Sequence, residues 1–507
     1  MTQSTRRKFL GAAAVGGAAS LGDFSFLSQL NPVSAQDAKV SSKVVELRPE
    51  IRPLVRLIEE TPRAKLIDAV AGKIRKGTSY QEILAALFLA GVRNVEPRPY
   101  VGFKFHAVLV VNSAHLASLA APDSERWLPI FWALDEFKAS QARDVQEGNW
   151  TMSPVDESAV PSAEKTQGAF VDAMTKWDVS LADGAAAGLA RHVGAAGTLE
   201  LFSRFAARDF RSIGHKAIFV ANSWRTLQVI GWKHSEPILR SLAYALVNHR
   251  GEPNPSENDL APDRPGRENA VLAKKIRAGW LKGQLDSKAT TKLLATLRAG
   301  SPSDASQAVV EMLNAGVSPQ SIYDALHTGA GELLMRQPGI VGLHAVTTTN
   351  AIRFLFGASG NEETRKMLLL QNAAFLPMFR EAMRSRGRVA DGAIDRLEAA
   401  SLDGSPSEQI GSIFGDVSGD RTSAAKKILS YLNEKNDARD LINSARQLIF
   451  QKGTSSHDYK FSSAVLEDFY KVSPAWRNQF LATSAFNLKG SGHRDNPLIA
   501  RTREALG

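Results

Sequence analysis

The sequence predicts an all-α protein built from duplicated or triplicated helical units around a shared core. Apolar residues recur at three- and four-residue spacings through most of the chain, as in Leu66, Ile67, Val70 and Ile74, and again in Ile83, Leu84 and Leu87. Alternation with a period of two is rare. A block carrying a serine, a histidine and an asparagine also recurs far along the chain. His106 and Asn112 are matched by His344 and Asn350, each 238 residues later, and Ser79 by Ser318, 239 residues later.

The first element is a signal rather than part of the fold. Residues 4–10 read Ser-Thr-Arg-Arg-Lys-Phe-Leu, followed by an Ala/Gly-rich apolar run and the small residues Val33-Ser34-Ala35. This pattern resembles a twin-arginine export signal, with Arg6 and Arg7 as the pair and cleavage expected after Ala35. The partner it implies for the precursor is the twin-arginine export machinery, which carries proteins already folded. The mature chain is then expected in the periplasm or otherwise exported, with no transmembrane segment.

Residues 36–507 are expected to form one large helical domain. Repeat-like segments lie near 63–139, 180–248 and 303–385, followed by a C-terminal helical region over 386–507. In the first segment Gly77-Thr78-Ser79 precedes Ile83–Leu87, then Val101-Gly102, His106 and Asn112. In the third, Gly316-Val317-Ser318 precedes Ile322–Leu326, then Val341-Gly342, His344 and Asn350. The middle copy is looser: Arg208-Asp209-Phe210-Arg211 leads to Gly214-His215, and Asn222 follows His215 by seven residues instead of six. Residues 146–170 and 249–268 read as long loops near a cleft.

His106, His215 and His344 therefore occupy equivalent places near the starts of apolar helices. Three neutral imidazoles form a sensible ligand set for a divalent metal (iron, zinc or copper), while a haem would use one or two of them as axial ligands. The same residues would also serve as helix-junction hydrogen bonders. Asn112, Asn222 and Asn350 either orient the histidines or a bound ligand, or join helices.

A second cluster lies near the C-terminus. His457-Asp458-Tyr459-Lys460 precedes an apolar helix. His457 is a candidate fourth ligand or general acid/base, with Asp458 orienting it. Tyr459 and Lys460 are candidates for binding an oxygenated or anionic substrate. The alternative is a capped helix entrance. Glu236 reads as an N-terminal helix charge before a metal ligand. His115, His192, His234, His249, His327 and His493 are weaker candidates.

Composition excludes several classes. The chain has 507 residues, 62 Lys and Arg against 52 Asp and Glu, and no cysteine. Disulfides, thiolate metal sites, ordinary iron–sulfur clusters and c-type haem attachment are ruled out. The net charge of +10 suits anionic ligands. No basic recognition helix or interleaved aromatic platform points to nucleic acid. There is no His-Glu-x-x-His motif, phosphate-binding glycine loop, serine elbow, paired Glu-x-x-His motif or dinucleotide fingerprint.

Gly214-His215, His344-Ala345-Val346 and His457-Asp458-Tyr459-Lys460, set in an all-helical chain, resemble the questin oxidase-like family. That resemblance implies an oxygen-using reaction on polycyclic aromatic ketones. The resulting expectation is an exported, histidine-site enzyme dependent on a metal or haem and acting on a small organic substrate. Oxidoreductase leads and metal-dependent hydrolase follows. Two alternatives stand beside it: a periplasmic protein that binds metal, haem or an organic ligand without turnover, and a helical scaffold.

Overall fold

The computed structural model describes residues 43–98, 103–434 and 436–507, with side chains from residue 105 onward in the middle segment. The expected export signal over residues 1–35, and Val101 and Gly102 of the first repeat, lie outside the described residues. The protein is all-α: it is 70% helical, and the described residues form 23 α-helices and no strand. One isolated parallel bridge joins Gln284 to Val317. No helix among the described residues is long and apolar enough to cross a membrane.

The repeat seen in the sequence is a repeat of backbone geometry. Gly77 and Gly316 both take the left-handed conformation, with φ of 93° and 91°. Each releases the chain from one helix toward the next, and a side chain there would be strained. Two residues on, Ser79 accepts from the Glu82 N–H and starts the helix Tyr80–Asn94, while Ser318 accepts from the Gln320 N–H and starts Pro319–Arg336. Each cap satisfies a backbone donor that the first turn would otherwise leave unpaired.

A histidine-bearing helix follows in every unit. After Tyr80–Asn94 come Phe103–Leu109 and Val111–Ala120, with His106 and Asn112 on either side of the break at Val110. After Ala195–Ala206 comes His215–Ile230, and after Pro319–Arg336 comes Ile340–Ala358. The C-terminal region adds a fourth case: Ala438–Lys452 is followed by Ser456–Asp468, which carries His457. The helical unit thus occurs four times around the centre. The sequence pattern had placed this last one outside the repeats.

These four helices close into a ring. At their N-terminal ends, His106 meets His215, His215 meets His344, and the His457 ring lies beside those of His344 and His106. Farther along, the Asn222 amide donates to the Leu109 carbonyl, Arg225 reaches Asn350 and Glu467, and Ser463 bonds Ser113. Because both ends meet in the same order, all four helices run in the same direction. Leu128–Gln146, Ser235–Val247 and Glu362–Arg384 pack against them as returns.

Phe105 and Phe219 fill the space between neighbouring inner helices, edge to face at 4.5 Å and fully buried. Each such ring contributes about 1.5–3 kcal/mol by leaving water. They are part of the core, and Trp224 and Trp232 likewise pair with each other at 5.6 Å. The two expected long loops are shorter than the sequence implied, because helices begin at Thr166 and Arg264.

Candidate metal centre

The approach to His215 is fixed by buried charge. Asp209 is fully enclosed; it pairs with Lys216 at 2.9 Å and accepts from the Arg211 N–H at 3.0 Å. Burial alone would raise its carboxyl, but Lys216, Arg211 and Arg208 outweigh that and hold it below the usual range. Arg211 also forks onto Asp263 at 2.9 and 2.5 Å, and Arg208 lies over the Trp177 ring. The Arg-Asp-Phe-Arg stretch is therefore the footing of the helix.

The chain then turns through two left-handed residues, Ile213 (φ 44°) and Gly214 (φ 81°). A β-branched residue at positive φ is strained, and such strain concentrates at functional sites. A Cβ on Gly214 would sit 1.9 Å from the Thr348 hydroxyl oxygen. Glycine is required here for close approach to the Ile340–Ala358 helix, and this approach brings His215 against His344.

His106, His215 and His344 are buried, at 3%, 4% and 0% exposure. Nε2 of His215 lies 3.0 Å from Nε2 of His344 and 3.2 Å from Nε2 of His106. One ligand nitrogen from each residue fits within a mutual distance of 4.8 Å. Metal–nitrogen bonds of about 2.1 Å place two nitrogens roughly 3.0 Å apart at a right angle and roughly 3.4 Å apart at the tetrahedral angle. The two short separations fall at this spacing.

The outer nitrogens set the tautomers. His215 Nδ1 donates to the Ser212 carbonyl at 2.7 Å, and His344 Nδ1 donates to the Ile340 carbonyl at 2.6 Å. A neutral ring that gives its proton away at Nδ1 presents a lone pair at Nε2. Two lone pairs therefore face each other at 3.0 Å, with no proton between them. A proton shared by the pair would relieve this. Burial opposes it and, with the nearby Lys460 amine, holds both rings well below their ordinary pKa. A proton on His106 Nε2 would serve His215 and leave His344 facing a lone pair. One cation bound to all three nitrogens satisfies every one of them, so this cluster has the donor set and spacing to hold a metal.

His457 is a neighbour of the trio. Its ring centroid lies 4.6 Å from that of His106 and 5.3 Å from that of His344. Its Nε2 is buried without a hydrogen-bond partner, and burial followed by Lys460 pushes its pKa down to about 3. One turn on, the Lys460 Nζ is buried and makes no hydrogen bond to protein, and burial pushes it down to about 7. Tyr459 stacks on Trp132 at 4.3 Å. The Asp458 carboxylate accepts from the Thr454 and Ser455 N–H groups at 3.0 and 3.1 Å and pairs with Lys489 at 3.0 Å. Asp458 thus serves the helix start and a half-buried lysine.

The three asparagines lie on a second level, six or seven residues along the same helices, or roughly 9–11 Å away. Asn350 donates to Asp468 at 2.8 Å and to Glu467 at 3.1 Å. Arg225 bonds both Asn222 and Asn350 while pairing with Glu467 at 2.9 Å. Asn112 is buried and lines a cavity beside them. This level ties the inner helices together and does not touch the histidine rings. Sequence reasoning passed over Arg225, its central residue, whose signal was its place three residues after Asn222.

The remaining histidines lie elsewhere. His115 meets the Tyr80 hydroxyl, His249 bonds the Val247 carbonyl, and His493 accepts from the Gly490 N–H. His192 is exposed, and Glu236 pairs with Arg191 at a helix start. Comparison of the chain with protein-family models, curated proteins and solved structures finds no match.

Proposed function

We propose that this is an exported metal-dependent enzyme whose non-haem divalent ion is held by His106, His215 and His344. The observation that carries the reading is the pair of Nε2 lone pairs facing each other at 3.0 Å, with both Nδ1 protons committed to carbonyls. The adjacent placement of the nitrogens favours a non-haem ion over haem, whose porphyrin fills the positions beside the axial ligands. Three ligands leave positions open for water or substrate.

The chain's other groups suit an anionic or oxygen-donor ligand there. All four inner helices begin at this level, each placing its histidine within its first five residues. Their positive dipole ends converge on the site. Lys460 adds a buried amine. His457, with its free Nε2 beside the trio, is positioned to exchange a proton with a bound ligand or to close the site as a fourth ligand.

A bound iron or copper would support oxygen-using oxidation, and zinc would support hydrolysis by acidifying water. The resemblance to the questin oxidase-like family favours oxidation. Non-enzymatic metal binding is the second reading, favoured by the complete burial of His344. Reconstitution with iron(II), copper(II) and zinc(II), followed by dioxygen uptake with a polycyclic aromatic ketone, tests the choice. Uptake with iron or copper that is lost in His457→Ala supports the oxidoreductase. Tight metal binding without turnover of the ketone or of ester substrates supports the binding protein. Failure to bind any of the three metals removes both readings.

A further inference from the structure

A cavity of about 560 Å³ opens beside the second level of the ring, between the Val111–Ala120, His215–Ile230, Ala438–Lys452 and Ser456–Asp468 helices. Its volume suits a small organic ligand. Leu116, Val229 and Ile449 supply apolar wall, with Ser113 and Ser463 bonded to each other at 2.9 Å on the polar side. Leu119 and Tyr470 also line it, yet are 63% and 58% exposed. Two large apolar side chains therefore stand at its open edge, unlike most large apolar residues of this chain.

Its charges are unevenly matched. Arg225 is committed to Glu467, Asn222 and Asn350, and Glu467 also pairs with Lys471. Arg446, on the same wall, makes no hydrogen bond or ion pair with a described residue. Burial works against the guanidinium, and the Tyr470 phenol lies near it. A part-buried guanidinium gains most from a carboxylate that can accept from two of its N–H groups. The net charge of the lining is thus that of one unmatched cation, set among apolar walls.

We propose that this cavity is a binding site for an amphipathic organic monoanion, an alkyl or aryl carboxylate, whose head group pairs with Arg446 and whose body lies along Leu116, Val229 and Ile449. The site is separate from the histidine level and stands whether or not a metal binds there.

Calorimetric titration of the full chain with decanoate and 2-naphthoate, each beside its neutral alcohol, tests this. At least one carboxylate is expected to bind at one site per chain, with its alcohol weaker by roughly tenfold or more, the scale of one charge-assisted contact. Decanoate binding identifies an alkyl acid as the ligand class, and 2-naphthoate binding an aryl acid. Arg446→Gln should abolish the preference for the carboxylate, Arg446→Lys should restore part of it, and Val229→Trp should block acid and alcohol alike. His215→Ala should leave binding unchanged. Absence of binding by both carboxylates, equal affinity for the alcohols, or full carboxylate preference in Arg446→Gln would overturn the proposal. Loss of binding in a folded His215→Ala protein would overturn its separation from the histidine level.

Discussion

Nε2 of His344 stands 3.0 Å from Nε2 of His215, and each ring has already given its Nδ1 proton to a backbone carbonyl. Two acceptors held this close in a buried site repel each other. The surroundings enforce the contact: Gly214 allows the helices to touch, and the Asp209 ion pairs anchor the approach. A fold that holds such a contact without a cation stores an unfavourable interaction, and metal binding converts it into a favourable one.

Metal binding should therefore stabilise the wild-type protein. At a free metal concentration of about 100 times Kd, the gain is about 2.7 kcal/mol. His344→Ala should lose this increment, while in its metal-free form the space left in the core and the relief of the contact with His215 act in opposite senses. Scanning calorimetry with and without metal reads both terms. An undiminished increment in the variant would remove His344 from the ligand set.

Acid should weaken the metal-free protein, with the following sign. His215 and His344 stay neutral in the fold because their pKa values are depressed, whereas in the unfolded chain they titrate near 6.5. As pH falls through about 6.5, the unfolded state takes up protons that the fold refuses, so stability drops with a slope that approaches about 1.4 kcal/mol per pH unit for each histidine. His327 acts in the same sense, but faces Asp468, which burial pushes up to about 7 and which acts in the opposite sense. Those two offset each other. Urea unfolding at pH 6.5 and 5.5 should show a fall that is smaller by about 2 kcal/mol in His215→Gln/His344→Gln, the unfolded rings being half protonated already at the upper pH. Equal falls in both proteins would show that these rings are protonated in the fold.

Gly214→Ala should cost about 3 kcal/mol, combining a left-handed backbone with the collision at Thr348. It should also lower metal affinity, because the two helices can no longer approach. Adding Thr348→Ala should recover part of the affinity and leave the backbone strain. Denaturation curves and metal titration on the single and double variants measure this. Unaltered affinity in Gly214→Ala would show that the close approach does not set the site.

The two levels of the ring should separate by mutation. Arg225→Met leaves Glu467 short of its main partner and Asn222 and Asn350 short of a donor. A loss of about 1–2 kcal/mol is expected from breaking a part-buried, charge-assisted pair whose carboxylate keeps Lys471, with metal content unchanged in the folded protein. Loss of metal at unchanged stability would contradict the assignment of Arg225 to the structural level.

Much of this arrangement was legible in the sequence because helices convert spacing into position. Gly77 with Ser79 and Gly316 with Ser318 marked equivalent helix starts, since a left-handed turn and a cap require those residue types. His106, His215 and His344 were legible as equivalent, and their convergence follows from the helices they start. The fourth unit was not legible as a repeat: Ser463 occupies the position six residues on where His106 and His344 have asparagine. The asparagines' place on a separate level was hidden too. It depends on Arg225 and Glu467 meeting across 242 residues of chain. Nor could spacing show that Asp458 faces its own helix start, because a capping aspartate and a histidine-orienting aspartate look alike in sequence.

The most direct test is the metal content of the mature, untagged protein beside His106→Ala, His215→Ala, His344→Ala and the control His249→Ala. Close to one divalent ion per wild-type chain is expected, retained by the control and lost from each of the three variants while they remain folded. A wild-type protein that stays metal-free in excess iron, copper and zinc, or that keeps its ion when these histidines are replaced, would contradict the assignment.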